Sequence, residues 1–185
     1  MILRRIVLWL CLAAAIVVFQ QPVLAAGCAA EKFVTNVGKA MMGAARSRSP
    51  AVFAGVASRY ADLGSIALFA LGPHRKDLPA SRRGEYVTLT RGFIGRFLAG
   101  HAAKFNGTGI RIVECNGSGK TMTVAVRLTG GQRVIFRLHY TGKTYIVRDL
   151  SVSGVWLVQQ LRSNFVGVIR KNGGDVAALL RYLRT

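Results

Sequence analysis

Acidic residues are scarce in this chain: seven Asp and Glu stand against 26 Lys and Arg in 185 residues, a formal charge of +19. Seven carboxylates spread over that length give no evident pair for acid–base work on a glycosidic bond. Histidine is equally thin. His74, His101 and His139 are scattered, none at metal-ligand spacing from another His or a carboxylate, and His101 reads as a packed or surface residue of a helix. No Gly-x-Ser-x-Gly elbow occurs. Gly119-Lys120-Thr121 and Gly142-Lys143-Thr144 imitate the end of a phosphate-binding loop. Yet Glu114 and Arg137 stand where the first glycine is required, and the two segments lie in hairpins rather than before a helix. No catalytic residue, metal ligand or nucleotide site is therefore assigned, and no enzyme is expected.

Long apolar runs are also missing, apart from one at the N-terminus. Arg4 and Arg5 precede an unbroken stretch from Ile6 to Phe19, and the small residues Ala25, Ala26 and Gly27 follow. This predicts a secretory signal peptide over residues 1–26, cleaved after Ala25 or Ala26. The run is short of the roughly 20 residues that span a bilayer; an uncleaved signal anchor is the competing reading. Ala25-Ala26-Gly27-Cys28 also ends like a lipoprotein signal, although it lacks Leu three residues before the cysteine, so lipidation of Cys28 stays open at this point. Cleavage removes two arginines and no acid, lowering the charge of +19 by two. What remains, 27–185, suits one domain with a single core, and 51% apolar content excludes a chain that is mainly disordered. So basic a chain suggests nucleic acid first, but an exported protein rarely meets any, and no nucleic-acid partner is expected. The anions it does meet are lipid headgroups and envelope surfaces, which attract Lys and Arg. The alternative is a solvated basic face with no partner.

Of three cysteines, Cys11 falls in the signal, which leaves Cys28 and Cys115 as the one possible pair. In an oxidising compartment two such thiols are expected to bridge. The bridge would tie the N-terminal helix to the strands, and on a loop-entropy account is worth up to about 4 to 5 kcal/mol. A lipid on Cys28 would forbid it.

Apolar residues at spacings of three and four (Phe33, Val34, Val37, Met41, Ala44) predict a first helix over Ala29–Ala45. Ser49-Pro50 starts a second, to Tyr60, and a third begins near Asp62 and stops at Gly72-Pro73. His74–Asp77 reads as a loop, and Pro79–Ser81 opens a long helix carrying Tyr86, Leu89, Phe93, Phe97 and Leu98. The period then changes to two. Strands are predicted at Ile110–Glu114, Thr121–Leu128, Gln132–Tyr140 and Lys143–Leu150, separated by Asn116–Gly119, Gly130-Gly131 and Thr141-Gly142 turns. Helices over Val155–Arg170 and Asp175–Arg184 follow, the last capped by Asp175. The predicted class is α+β: a four-stranded antiparallel meander, apolar on one face and largely basic on the other, with N- and C-terminal helices on its apolar face.

The C-terminal pattern Tyr145-x-Val147-x-Asp149-x-x-Val152-x-Gly154-Val155, followed by Leu157, Arg162, Ser163, Phe165, Ile169, Gly173 and Leu179 to Leu183, resembles the signature of the MlaC family. Asp62-Leu63, Leu71-Gly72, Tyr86, Phe93 and Phe97 extend the likeness over nearly the whole exported part, while Trp156 replaces what is more often a small residue. The resemblance implies a soluble, monomeric periplasmic carrier that hides phospholipid acyl chains in a pocket between sheet and helices. It implies phospholipid as cargo and no cofactor. It also implies transient membrane contact, with an inner-membrane ABC transporter complex and an outer-membrane lipoprotein as partners in lipid transport between the two membranes.

Phe69, Phe93, Phe97, Phe136, Tyr145, Val147, Trp156, Leu161 and Phe165 are the residues expected to line such a pocket. From spacing alone they read equally as an ordinary core. The alternative function is accordingly a non-catalytic protein-binding module of the cell envelope with a closed cystatin-like or nuclear-transport-factor-like interior, and an envelope hydrolase is a distant third. Void volume separates the first two, since a carrier is expected to leave a continuous apolar cavity at or above the upper end of about 300 to 1,000 Å³.

Overall fold

A computed structural model of the chain describes residues 27–185; the signal-peptide reading of 1–26 lies outside them. The first helix, α1 (Glu31–Ser47), buries Val34, Val37, Met41 and Ala44 at helical spacing and ends at Arg48, whose backbone turns left-handed and donates to the Ala44 carbonyl at 3.0 Å. Ser49 caps α2 (Pro50–Tyr60) by accepting from the Val52 N–H, with Pro50 in the first turn where no donor is missed. Asp62 then has three partners. Its N–H donates to the Val147 carbonyl at 3.0 Å, and its carboxylate accepts from Ser65 N–H at 3.1 Å to cap α3 (Leu63–Ala70) and pairs with Arg148 at 2.8 Å. The predicted loop over His74–Asp77 is mostly a short 3-10 turn, Gly72–Lys76. Helix α4 (Arg83–Gly100) packs so closely on α2 that a side chain at Gly95 would overlap the Pro50 carbonyl and come within 2.9 Å of Ala54 Cβ. Tyr86 of α4 donates its hydroxyl to the Ala67 carbonyl at 2.7 Å, and burial pushes its phenol well above the ordinary value.

The sheet holds β1 (Ile110–Ser118), β2 (Thr121–Leu128), β3 (Arg133–Tyr140), β4 (Tyr145–Val152) and β5 (Val155–Trp156), antiparallel and in chain order. Val124, Val126, Val134, Phe136 and Leu138 face the helices; Thr123, Arg127, Arg133 and Arg137 face outward and are exposed. Two differences from the expected meander have a local cause. The first strand runs four residues past Glu114, because Asn116 and Gly117 keep pairing with Thr123 and Met122 and the reversal is made by Gly119-Lys120, with Gly119 at φ +58°. The sheet has five strands rather than four: Ser153 and Gly154 both take positive φ (52° and 83°), the geometry of a two-residue hairpin turn. Val155 and Trp156 therefore pair back on Val152 and Ser151 before the helix begins. Helix α5 thus spans Leu157–Lys171, and Asp175 caps α6 (Val176–Arg184) by accepting from Ala177 N–H at 2.7 Å.

No side chain at the end of β5 caps α5. Asp149 of β4 does so from the neighbouring strand, its carboxylate accepting from Val158 N–H at 3.0 Å and Leu150 N–H at 2.8 Å, with Arg137 at 3.7 Å. Its side chain is only 8% exposed, and desolvation raises its pKa above the usual carboxylate value even though both N–H groups and the guanidinium lower it. On the opposite edge of the sheet, Cys28 and Cys115 are joined, closing a separation of 87 residues and fastening the segment before α1 to β1. A sulfur in that bond cannot carry a thioether lipid.

Alkylation of the oxidised, denatured protein is expected to label neither Cys28 nor Cys115, and Cys28→Ser with Cys115→Ser is expected to cost up to about 4 to 5 kcal/mol of unfolding free energy. Asp149→Asn tests the buried carboxylate. Because the folded-state pKa is raised, the native state binds more protons between the ordinary aspartate value and the raised one. The associated stability is present below that window and is lost as pH rises through it. The unfolding free energy of wild type minus Asp149→Asn should therefore fall with rising pH in denaturant titrations; a rise would mean that hydrogen bonding outweighs desolvation.

Candidate functional site

The inner face of the sheet and the helices enclose an apolar cavity of about 50 Å³. Ala57, Tyr60 and Ala61 line it from the end of α2, Leu63 and Ile66 from α3, Leu98 from α4, Phe136, Val147 and Leu150 from the sheet, and Leu157 and Val158 from α5. The position of α2 follows from its end: Ala61 bridges to Val147, which holds the helix terminus at the edge of β4. A second void, about 10 Å³, lies between Met41, Met42, Phe105, Phe136 and Leu150. Outside both is an open groove of about 270 Å³, lined by Phe97, His101, Lys104, Phe105, Val152, Val155 and Gln160.

Cavity and groove share a wall. Leu98, Leu150 and Leu157 line both, and Leu150 also borders the smaller void. Three leucines contributed by three different elements thus stand between the two spaces. The cavity lining is apolar apart from Asp149, whose carboxylate is occupied by the α5 backbone. At the groove rim the chemistry changes, with Lys104, His101 and Gln160 beside Phe97 and Val155. His101 stacks on Phe97 at 4.5 Å, and its Nδ1 contacts the Phe97 carbonyl at 2.8 Å. Such an arrangement can hold an apolar body inside and a polar end at the rim; among the described residues no group of His, Cys, Asp and Glu is placed to hold a metal.

The nine residues expected at the pocket are spread through the molecule. Phe136 and Val147 line the cavity and Phe97 lines the groove. Leu161 and Phe165 are fully buried in helix packing, where Phe165 meets Phe93 at 5.3 Å and Tyr86 at 6.4 Å, and Phe93 also meets Tyr182. Tyr145 packs with Phe33 and Tyr140 at the far end of the sheet. Phe69 is 42% exposed beneath the Arg162 guanidinium, and Trp156 lies under Arg137, 3.7 Å from the ring centre. In this conformation those six do not border the cavity. Residues that do, and that are not among those nine, include Met41, Ala57, Ala61, Leu98, Leu150 and Leu157. A usable signal existed for two of them: Ala57 and Ala61 stand four apart, so that small side chains follow one another on the same helix face.

The fold matches a solved structure from Ralstonia solanacearum, described as a phospholipid-binding protein in complex with a phospholipid, at a TM-score of 0.68 and 18% identity. The match covers 83% of this chain and 92% of that one. Among curated proteins nothing matches. The sequence model of the family described as MlaC protein matches residues 34–185, from the first buried turn of α1 through the β4–β5–α5 junction to the end of α6, and the chain therefore belongs to the MlaC family.

Proposed function

We propose that this protein is an exported, monomeric phospholipid carrier of the periplasm. It would move lipid between outer and inner membrane as the soluble component of an Mla-type ABC transport system, and would catalyse no reaction. The observation that carries this reading is the apolar cavity that shares Leu98, Leu150 and Leu157 with an open groove. Family membership and the phospholipid held by the Ralstonia protein support it. Partners in this reading are phospholipid, an inner-membrane transporter complex and an outer-membrane lipoprotein.

Energetics dictate how the site would work. Two acyl tails of some fifteen carbons lose on the order of 20 kcal/mol of unfavourable hydration when buried, but neither a 50 Å³ cavity nor a 270 Å³ groove holds them alone. Loading would displace the three leucines and merge the two spaces. The tails would then lie against Phe136, Val147 and the alanines of α2, with the headgroup among Lys104, His101 and Gln160. Met41 and Met42, unbranched and polarizable, would adapt to chains of different length. The small volume of the closed interior is the one observation that favours the alternative, a protein-binding module of the envelope with an ordinary core.

Native mass spectrometry of protein purified from the periplasm should find phospholipid bound, and N-terminal sequencing should find a mature chain starting between Ala26 and Cys28. Ala57→Leu separates the two readings, because it adds volume where a void already exists. It should reduce co-purified phospholipid severalfold while the melting temperature stays level or rises. Protein that carries no lipid, together with a variant overpacked by about 1 to 3 kcal/mol, would leave the closed module as the answer.

A further inference from the structure

Three arginines face one another across the outer side of the sheet. Arg111 of β1 is in direct register with Arg127 of β2, and Arg127 with Arg133 of β3, so one rung crosses three strands with a guanidinium at every position. Like charges directly opposite destabilise a sheet. Only Arg133 has an acidic partner there, Glu114 at 2.7 Å; Arg127 donates to the Gly131 carbonyl at 3.1 Å, and Arg111 makes no side-chain hydrogen bond or ion pair among the described residues. All three side chains are exposed. The other outward arginines differ, since Arg137 lies beside Asp149 and Trp156, and Arg148 is bonded to Asp62.

The rung also has a defined place. Val134, next to Arg133, pairs with Val152 of the groove, and the Ser153 N–H donates to the Arg133 carbonyl at 3.4 Å. The arginines therefore cross the same end of the sheet at which the groove opens, with Lys104 at its rim. Two exposed apolar residues flank this end: Val113, pushed out by the register shift between Ile112 and Glu114, and Val155, 53% exposed on β5. Fixed cations interspersed with small apolar side chains, outside the open concavity of about 710 Å³ that Thr123, Arg137, His139 and Arg148 line further along the same face, match a phosphate-covered interface better than a shaped protein epitope.

We propose that the Arg111–Arg127–Arg133 rung is a docking surface for an anionic bilayer, which brings the mouth of the groove to the headgroup layer. Guanidiniums at cross-strand spacing pair with lipid phosphates, and the repulsion that the rung imposes on the free protein is relieved on contact. The surface stands on the sheet geometry alone; lipid held in the interior is read separately.

Flotation of the purified protein with phosphatidylcholine vesicles, with and without phosphatidylglycerol, tests it. Wild type should float with the anionic vesicles in a salt-sensitive way. Arg111→Gln with Arg127→Gln should partition on the order of 30-fold less, with an unchanged or higher melting temperature and unchanged co-purified phospholipid. Lys39→Gln with Arg91→Gln, on exposed positions of α1 and α4, removes the same charge and should retain binding. Should the double variant lose the Arg127 turn contact and melt early, Arg111→Gln alone carries the test and should lose about fivefold. Equal flotation with both vesicle types would overturn the proposal and leave the rung to an acidic protein surface. Equal loss in the two double variants would overturn it as well, reducing the effect to net charge.

Discussion

The Asp149 carboxylate joins the two parts of the molecule between which the candidate site lies. Burying a carboxylate is costly unless its oxygens are satisfied, and here the satisfaction comes from the first turn of α5 and from the strand itself. That contact determines where α5 starts, directly after the two-residue β5, and so where Leu157 sits. Its neighbour Leu150 faces the opposite side of the strand and reaches both voids and the groove. One dipeptide of β4 thus anchors the helix with one side chain and builds the partition with the other.

The partition belongs to a fold that is otherwise closed. A dry void of about 50 Å³ costs on the order of 1 kcal/mol in lost contacts, a small penalty for a domain with this much buried helix packing. Leu98, Leu150 and Leu157 come from α4, β4 and α5, so moving them breaks no hydrogen-bonded ladder and leaves the disulfide and the aromatic contacts of Phe93 with Phe165 outside the moving region. The tight parts of the molecule, above all the contact of Gly95 with α2, lie behind the cavity and hold its back wall.

Scarcity of acid acquires a meaning in three dimensions. Asp62, Asp149 and Asp175 cap helices, Glu85 bonds Arg82 and Arg184, Glu114 bonds Arg133, Asp77 bonds His74, and Glu31 lies in the first turn of α1. Each acid is placed where the fold uses its charge. Most of the arginines are thereby left without an acidic partner among the described residues, and three strands bring three arginines into one register.

The amino-acid sequence by itself determined the class, most helix limits, the hairpin order, the Cys28–Cys115 pairing and the family, because each rests on local chemistry: a period of 3.6 or 2, a capping Ser or Asp, a Gly at a turn, or two thiols outside the predicted signal segment. It stopped short where a local preference was ambiguous, as at Asn116-Gly117, which reads as a turn but pairs as strand, and at Val155-Trp156, whose pairing depends on Ser153 taking a left-handed backbone. The lining of the cavity was decided by tertiary structure alone. Periodicity separates buried from exposed side chains, and by that measure Phe165 and Phe136 are alike; which of them borders a void depends on the distances between helices and strands far apart in the chain. The arginine rung is the same case on the outside, since Arg111, Arg127 and Arg133 become neighbours only through strand register, a property of pairs of strands that no single segment encodes.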